Sequence, residues 1–111
     1  MPRRLASGSK NIASGEEASV SGGFENTASG TDASVSGGVE NLASGEQAWV
    51  SGGFKNTALG EGASVSGGAR NTSSGGDTSV SGGFKNTAEG NFSSIFGGKE
   101  LTAKNEYEAI P

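Results

Sequence analysis

Asn26-Thr27-Ala28-Ser29-Gly30-Thr31-Asp32-Ala33-Ser34-Val35-Ser36-Gly37-Gly38 recurs, with small changes, along almost the whole 111-residue chain. Its asparagine returns at Asn11, Asn26, Asn41, Asn56, Asn71 and Asn86, a spacing of 15 residues without a slip. Single glycines (Gly15 to Gly90) and Gly pairs (Gly22-Gly23 to Gly97-Gly98) keep the same step. Val20, Val35, Val50, Val65, Val80 and Ile95 form a β-branched column, which extrapolates backwards to Leu5 and forwards to Ile110. A fixed period of this length is the signature of stacked structural units. The chain therefore reads as one repeat domain over 1–111, clear over 11–100 and degenerate at 3–10 and 101–111, with about seven coils.

Within the quoted stretch, Asn26-Thr27-Ala28-Ser29-Gly30 and Ala33-Ser34-Val35-Ser36-Gly37 predict two short strands separated by glycine turns. Alternation of period two turns Asn26, Ala28, Ala33 and Val35 inward and leaves Ser and Thr on the outer face. A helix is disfavoured, because each interior glycine costs it about 1 kcal/mol. Glycine does not recur every third residue, which removes collagen. The prediction is an all-β, parallel β-solenoid with two short strands per 15-residue coil.

Only 18 residues are Leu, Ile, Val or Phe, below the roughly 20% under which disorder is suspected. A net charge of −4 does not supply the other half of that signature. Side chains this small leave a thin core, which points to packing between chains as a further source of stability. The asparagine column predicts an inward ladder, each amide bonding its counterpart in the next coil and the turn backbone. Phe24, Val39, Phe54, Ala69 and Phe84 follow the Gly pairs, at a position a narrow solenoid struggles to bury. Exposed aromatic columns mark interfaces, so Phe24, Val39, Phe54 and Phe84 are candidate oligomer contacts.

The chain has no Cys and no His. That removes disulfides, thiolate and Ser-His chemistry, and the usual zinc ligands. A non-enzymatic protein without cofactor or metal is expected. The N-terminus, Met1-Pro2-Arg3-Arg4-Leu5-Ala6-Ser7, lacks the apolar run of a signal peptide, and no stretch is long and apolar enough to span a membrane. Basic residues are scattered from Arg3 to Lys104, which speaks against nucleic-acid binding. Acidic turns (Glu16-Glu17, Asp32, Glu46, Glu61, Asp77) differ in period and ligand density from calcium-binding solenoids and read as solubilising. The column Lys10, Glu25, Glu40, Lys55, Arg70, Lys85, Glu100 mixes signs, as edges guarded against aggregation do. Ser19, Ser34, Ser64 and Ser79, with Ser21, Ser36, Ser51, Ser66 and Ser81, form hydroxyl rows. Flat threonine arrays on solenoids bind ice, but these rows are mainly serine and Trp49 interrupts one. A solvated strand face is preferred, and ice binding is placed last.

The pattern Asn-x-Ala-x-Gly-x-x-Ala-x-Val-x-Gly-Gly over Asn26–Gly38 resembles the head repeat of trimeric autotransporter adhesins, the YadA-like family. The resemblance covers nearly the whole chain. It implies a left-handed β-roll, three chains side by side as a homotrimer, and an extracellular or bacterial cell-surface location. It also implies attachment to host matrix or cell-surface ligands. The Asn at the first inward position and the Gly pair depart from the family's pattern, and no coiled coil, neck or anchor barrel accompanies the repeats. The expectation is a structural, adhesive module acting by multivalent display, with an end-to-end filament or phage-fibre subunit as the alternative.

Overall fold

The computed structural model describes residues 4–111. Met1, Pro2 and Arg3, which open the N-terminal stretch and the degenerate first coil, lie outside the described residues. Regular structure among the described residues consists of fifteen two-residue strands. One parallel sheet holds β1 (Leu5–Ala6), β3 (Ser19–Val20), β5 (Ser34–Val35), β7 (Trp49–Val50), β9 (Ser64–Val65), β11 (Ser79–Val80), β13 (Ser94–Ile95) and β15 (Ala109–Ile110). The other holds β2 (Ile12–Ala13), β4 (Thr27–Ala28), β6 (Leu42–Ala43), β8 (Thr57–Ala58), β10 (Thr72–Ser73), β12 (Thr87–Ala88) and β14 (Thr102–Ala103). The chain alternates between the sheets and rises one rung per coil, which makes it a parallel β-solenoid of about seven coils. It is a slab, with Cα extents of 37 × 24 × 11 Å.

Both strands of a coil are shorter than their five-residue sequence signatures, because the chain bends at once into its turns. The ladder nevertheless continues through the bends. The N–H of Thr27 donates to the Asn41 carbonyl at 2.8 Å, that of Ser29 to Ala43 at 2.9 Å, and that of Phe24 to Gly38 at 3.0 Å. Phe24, Val39, Phe54, Ala69 and Phe84 add a third column of parallel bridges between the sheets. Two turn positions per coil adopt the left-handed region with side chains in place, Gly62 excepted, as at Glu25 and Asp32, both with φ 58°. That conformation costs roughly 1–2 kcal/mol. It also reverses the peptide, so the Glu25 and Asp32 N–H groups donate backwards to Ser9 and Glu16 at 3.0 and 2.8 Å. Each turn thereby joins the coil below as well as the coil above.

The interior is built from columns. Val20, Val35, Val50, Val65, Val80 and Ile95 are fully buried, with alanines such as Ala28, Ala33, Ala43 and Ala48 between them. Burying each valine contributes about 1.5–3 kcal/mol. So slim an interior requires the coils to close tightly on themselves. At Gly45 a Cβ would lie 2.1 Å from the Gly60 carbonyl oxygen, so no other residue fits.

Leu5 corrects one expectation. It does not continue the valine column: Ala6 pairs with Val20 and Leu5 with Ser19, leaving Leu5 65% exposed. Gly8 alone stands where later coils carry a Gly pair, so Ser9 still aligns with Phe24 while Leu5 and Ala6 are displaced by one residue. A one-residue slip in a strand exchanges its two faces. At the other end Ile110 does pair with Ile95.

Candidate functional site

The asparagines run up the inside of one edge, where the chain passes from the first sheet to the second. Asn26, Asn41, Asn56, Asn71 and Asn86 are fully buried, and Asn11 at the N-terminal end is half-buried. Each buried amide uses both donors: Asn56 Nδ2 donates to the carbonyls of Gly52 and Gly68 at 2.9 and 3.1 Å. Its Oδ1 accepts the backbone N–H of Asn71 at 2.9 Å, so the rungs connect side chain to main chain rather than amide to amide. Asn11 donates to the Ser7 and Gly23 carbonyls and accepts from Asn26 N–H. The series ends at Leu101, whose N–H still donates to Asn86 Oδ1 at 3.0 Å. Every polar atom in this column is occupied, so it offers nothing to a ligand.

Phe24, Val39, Phe54 and Phe84 lie on the outside of the same edge and remain 36–39% exposed. Three lysines lie over their rings: Lys10 above Phe24, Lys55 above Phe54 and Lys85 above Phe84, at 5.8, 5.3 and 5.4 Å from the centroids. The opposite edge carries the acidic turns, Glu16, Asp32, Glu46, Glu61 and Asp77. Among the described residues no three Asp, Glu, His or Cys side chains converge on a position that could hold a metal ion.

The two broad faces differ in chemistry. The outer face of the eight-stranded sheet carries Ser19, Ser34, Ser64, Ser79 and Ser94, with Ser21, Ser36, Ser51, Ser66 and Ser81 beside them. It is interrupted near its middle by Trp49 and at its C-terminal end by Phe96, 42% and 64% exposed. The seven-stranded sheet presents Thr27, Thr57, Thr72, Thr87 and Thr102, with Ile12 and Leu42 completing the row. Each residue of that row pairs with its counterpart one coil away, without a break in register. Beside it runs Ser14, Ser29, Ser44, Leu59 and Ser74, closing with Glu89 and Lys104.

The threonine row is a candidate surface that composition alone does not single out. The serine rows are denser, and in the sequence alone serine and threonine fall on one outer face. The folded chain separates the two sets onto opposite sheets. The signal was available as threonine at the position after each asparagine, in four of the six repeats that begin with one.

The family model described as the grass antifreeze beta roll matches residues 3–104. No curated protein matches the chain. The match overturns the resemblance to YadA-like adhesin heads, and with it the adhesive reading built on that resemblance. The cause of the mistaken likeness is physical. Alternating small inward residues and glycine turns are what any slim two-sheet roll needs inside, so that pattern reports the interior and not what the outer faces bind.

Proposed function

Because the chain belongs to the grass antifreeze beta-roll family, we propose that it binds ice through the outer face of its seven-stranded sheet. The observation that carries this reading is the in-register threonine row on β4, β8, β10, β12 and β14. An ice surface is a fixed lattice, so its binder must offer a rigid, repeating surface. Strand stacking supplies a repeat of about 4.8 Å along the slab. Threonine is stiff at χ1, and these side chains, except the exposed Thr102, are half-buried against their neighbours. Little rotamer freedom is then lost on contact, which removes one of the main costs of binding.

Each threonine also presents two chemistries at once. Its hydroxyl can donate to and accept from lattice water, and its methyl excludes disordered water from the contact. Ile12, Leu42 and Leu59 extend the apolar share of this face without adding charge. The opposite face suits a lattice less well. Trp49 stands proud of it, and serine hydroxyls rotate on side chains without a methyl to restrict them.

Replacement of a central threonine by a bulky residue tests the assignment. Thr57→Tyr and Thr72→Tyr are expected to abolish most of the thermal hysteresis and the inhibition of ice recrystallisation. Ser64→Tyr, on the other sheet, is expected to leave both unchanged. Equal loss from the two sheets, or activity that survives both threonine substitutions in folded protein, would refute this face as the ice contact.

A further inference from the structure

The edge outside the asparagine ladder carries a charge order that a single chain does not resolve. Its turn residues, from Lys10 to Glu100, share φ values between 56° and 59° and are all exposed. Glu25 stands one rung from Glu40, and Lys55, Arg70 and Lys85 occupy three successive rungs. Rungs are separated by about 4.8 Å, and like charges side by side in a ladder repel. One half of the edge is thus acidic and the other basic, with the opposite sign at each extreme.

Turned end for end, the same column is its own complement. Lys10 then meets Glu100, Glu25 meets Lys85, and Glu40 meets Arg70, with Lys55 at the centre. The apolar column beside it has the same symmetry in size: Phe24 answers Phe84, Val39 answers Ala69, and Phe54 faces itself. We infer that this edge is an isologous dimer surface, occupied by a second, antiparallel copy of this chain. In an isologous contact every pair occurs twice, so the three charge pairs become six. A parallel arrangement, including side-by-side chains around a three-fold axis along the rod, would instead hold each rung level with its own copies and set like charge against like. Lys55 is the one charged residue of the column that meets itself, and its ammonium lies 5.3 Å above the Phe54 ring, where the ring face offsets part of that repulsion.

The geometry has a consequence for the broad faces. Joining two slabs edge to edge and antiparallel requires a two-fold axis normal to the sheets. Both seven-stranded faces then look the same way, and the threonine surface doubles in width. This consequence rests on the ice-binding reading; the dimer does not.

Sedimentation of the full chain at low salt is expected to show association from 10.9 kDa to twice that mass, weakening as salt rises. Glu40→Lys reverses two of the six pairs and is expected to weaken association about tenfold or more. Adding Arg70→Glu to it restores complementarity and is expected to return the affinity to within about threefold of the parent. Because the chain has no cysteine, orientation can be read directly. Lys10→Cys chains mixed with Glu100→Cys chains should form a disulfide-linked pair under mild oxidation, and neither alone should do so. A chain that stays monomeric to about 0.5 mM at low salt, a three-chain mass, self-linking of Lys10→Cys, or a folded double variant as dissociated as Glu40→Lys would each overturn the dimer. Loss of ice activity in a dimeric threonine variant bears on the face alone.

Discussion

Ser93 occupies a position that four other coils fill with Ala18, Ala33, Ala48 or Ala63, and its hydroxyl is buried without a hydrogen-bond partner. The coil before it shows how the same intrusion is accommodated. There Ser73 and Thr78 replace two inward alanines together, and their hydroxyls bond at 2.6 Å, with Thr78 also donating to the Gly75 carbonyl at 2.8 Å. Ser93 faces Ala88 in place of a second hydroxyl. A buried polar group left unpaired costs about 1–3 kcal/mol, and alanine fits this column. Ser93→Ala is therefore expected to stabilise the protein by about 1–2 kcal/mol in denaturant unfolding, without altering ice activity. Ser73→Ala has no such gain available, since it removes a satisfied pair.

At the scale of the element, the asparagine column acts as one structure shared by six coils. Its amides reach the Gly22-type carbonyls from inside and add a second donor to the Gly38-type carbonyls, and aspartate cannot substitute because it has no donor. Asn56→Ala strands the Gly52 carbonyl and the Asn71 N–H, and takes from the Gly68 carbonyl one of its two donors, the Phe54 N–H remaining. The expected loss is on the order of 3 kcal/mol. Asn56→Asp should cost at least as much, since it turns a carboxylate towards two carbonyl oxygens. Thermal unfolding of both variants checks this, and a near-native Asp variant would contradict the ladder as described. The column was visible in the sequence because asparagine never varies within the six repeats. The turn carbonyls were among its expected partners, but the Oδ1 takes the next asparagine's backbone N–H and not its amide, a difference invisible in sequence because both rungs require the same residues at the same spacing.

For the whole molecule, stability and shape come from contacts between adjacent coils, so the protein should tolerate changes in whole repeats far better than changes in part of one. Deleting residues 41–55 joins Glu40 to Asn56 and keeps every column aligned. It also removes Lys55 while preserving the three charge pairs of the edge. The shortened chain is expected to keep its β circular dichroism per residue, with a melting temperature lowered by about 5 °C or less, and to remain dimeric. Deleting residues 41–48 instead puts Trp49 into the asparagine column and should unfold the chain. The slip at Gly8 leaves the coils after it in register, since Ser9 still pairs with Phe24 while Leu5 pairs with Ser19. Extrapolating the valine column back to Leu5 misses it, because a period extended past its clear copies cannot detect an absent residue.

The sequence by itself determined the period, the parallel stacking and the inward columns of Asn, Ala and Val. Those follow from local rules, since alternation decides which side of a strand a residue occupies and glycine decides where the chain can bend. Which outward residues share a surface is not a local property. Ser19 and Thr27 both point outward, yet they lie on opposite faces because the left-handed turns and the asparagine ladder carry the chain from one sheet to the other between them. Only the tertiary structure separated the serine face broken by Trp49 from the threonine face. It also placed the charge column, already aligned by the period, on the outside of one edge beside the half-exposed phenylalanines.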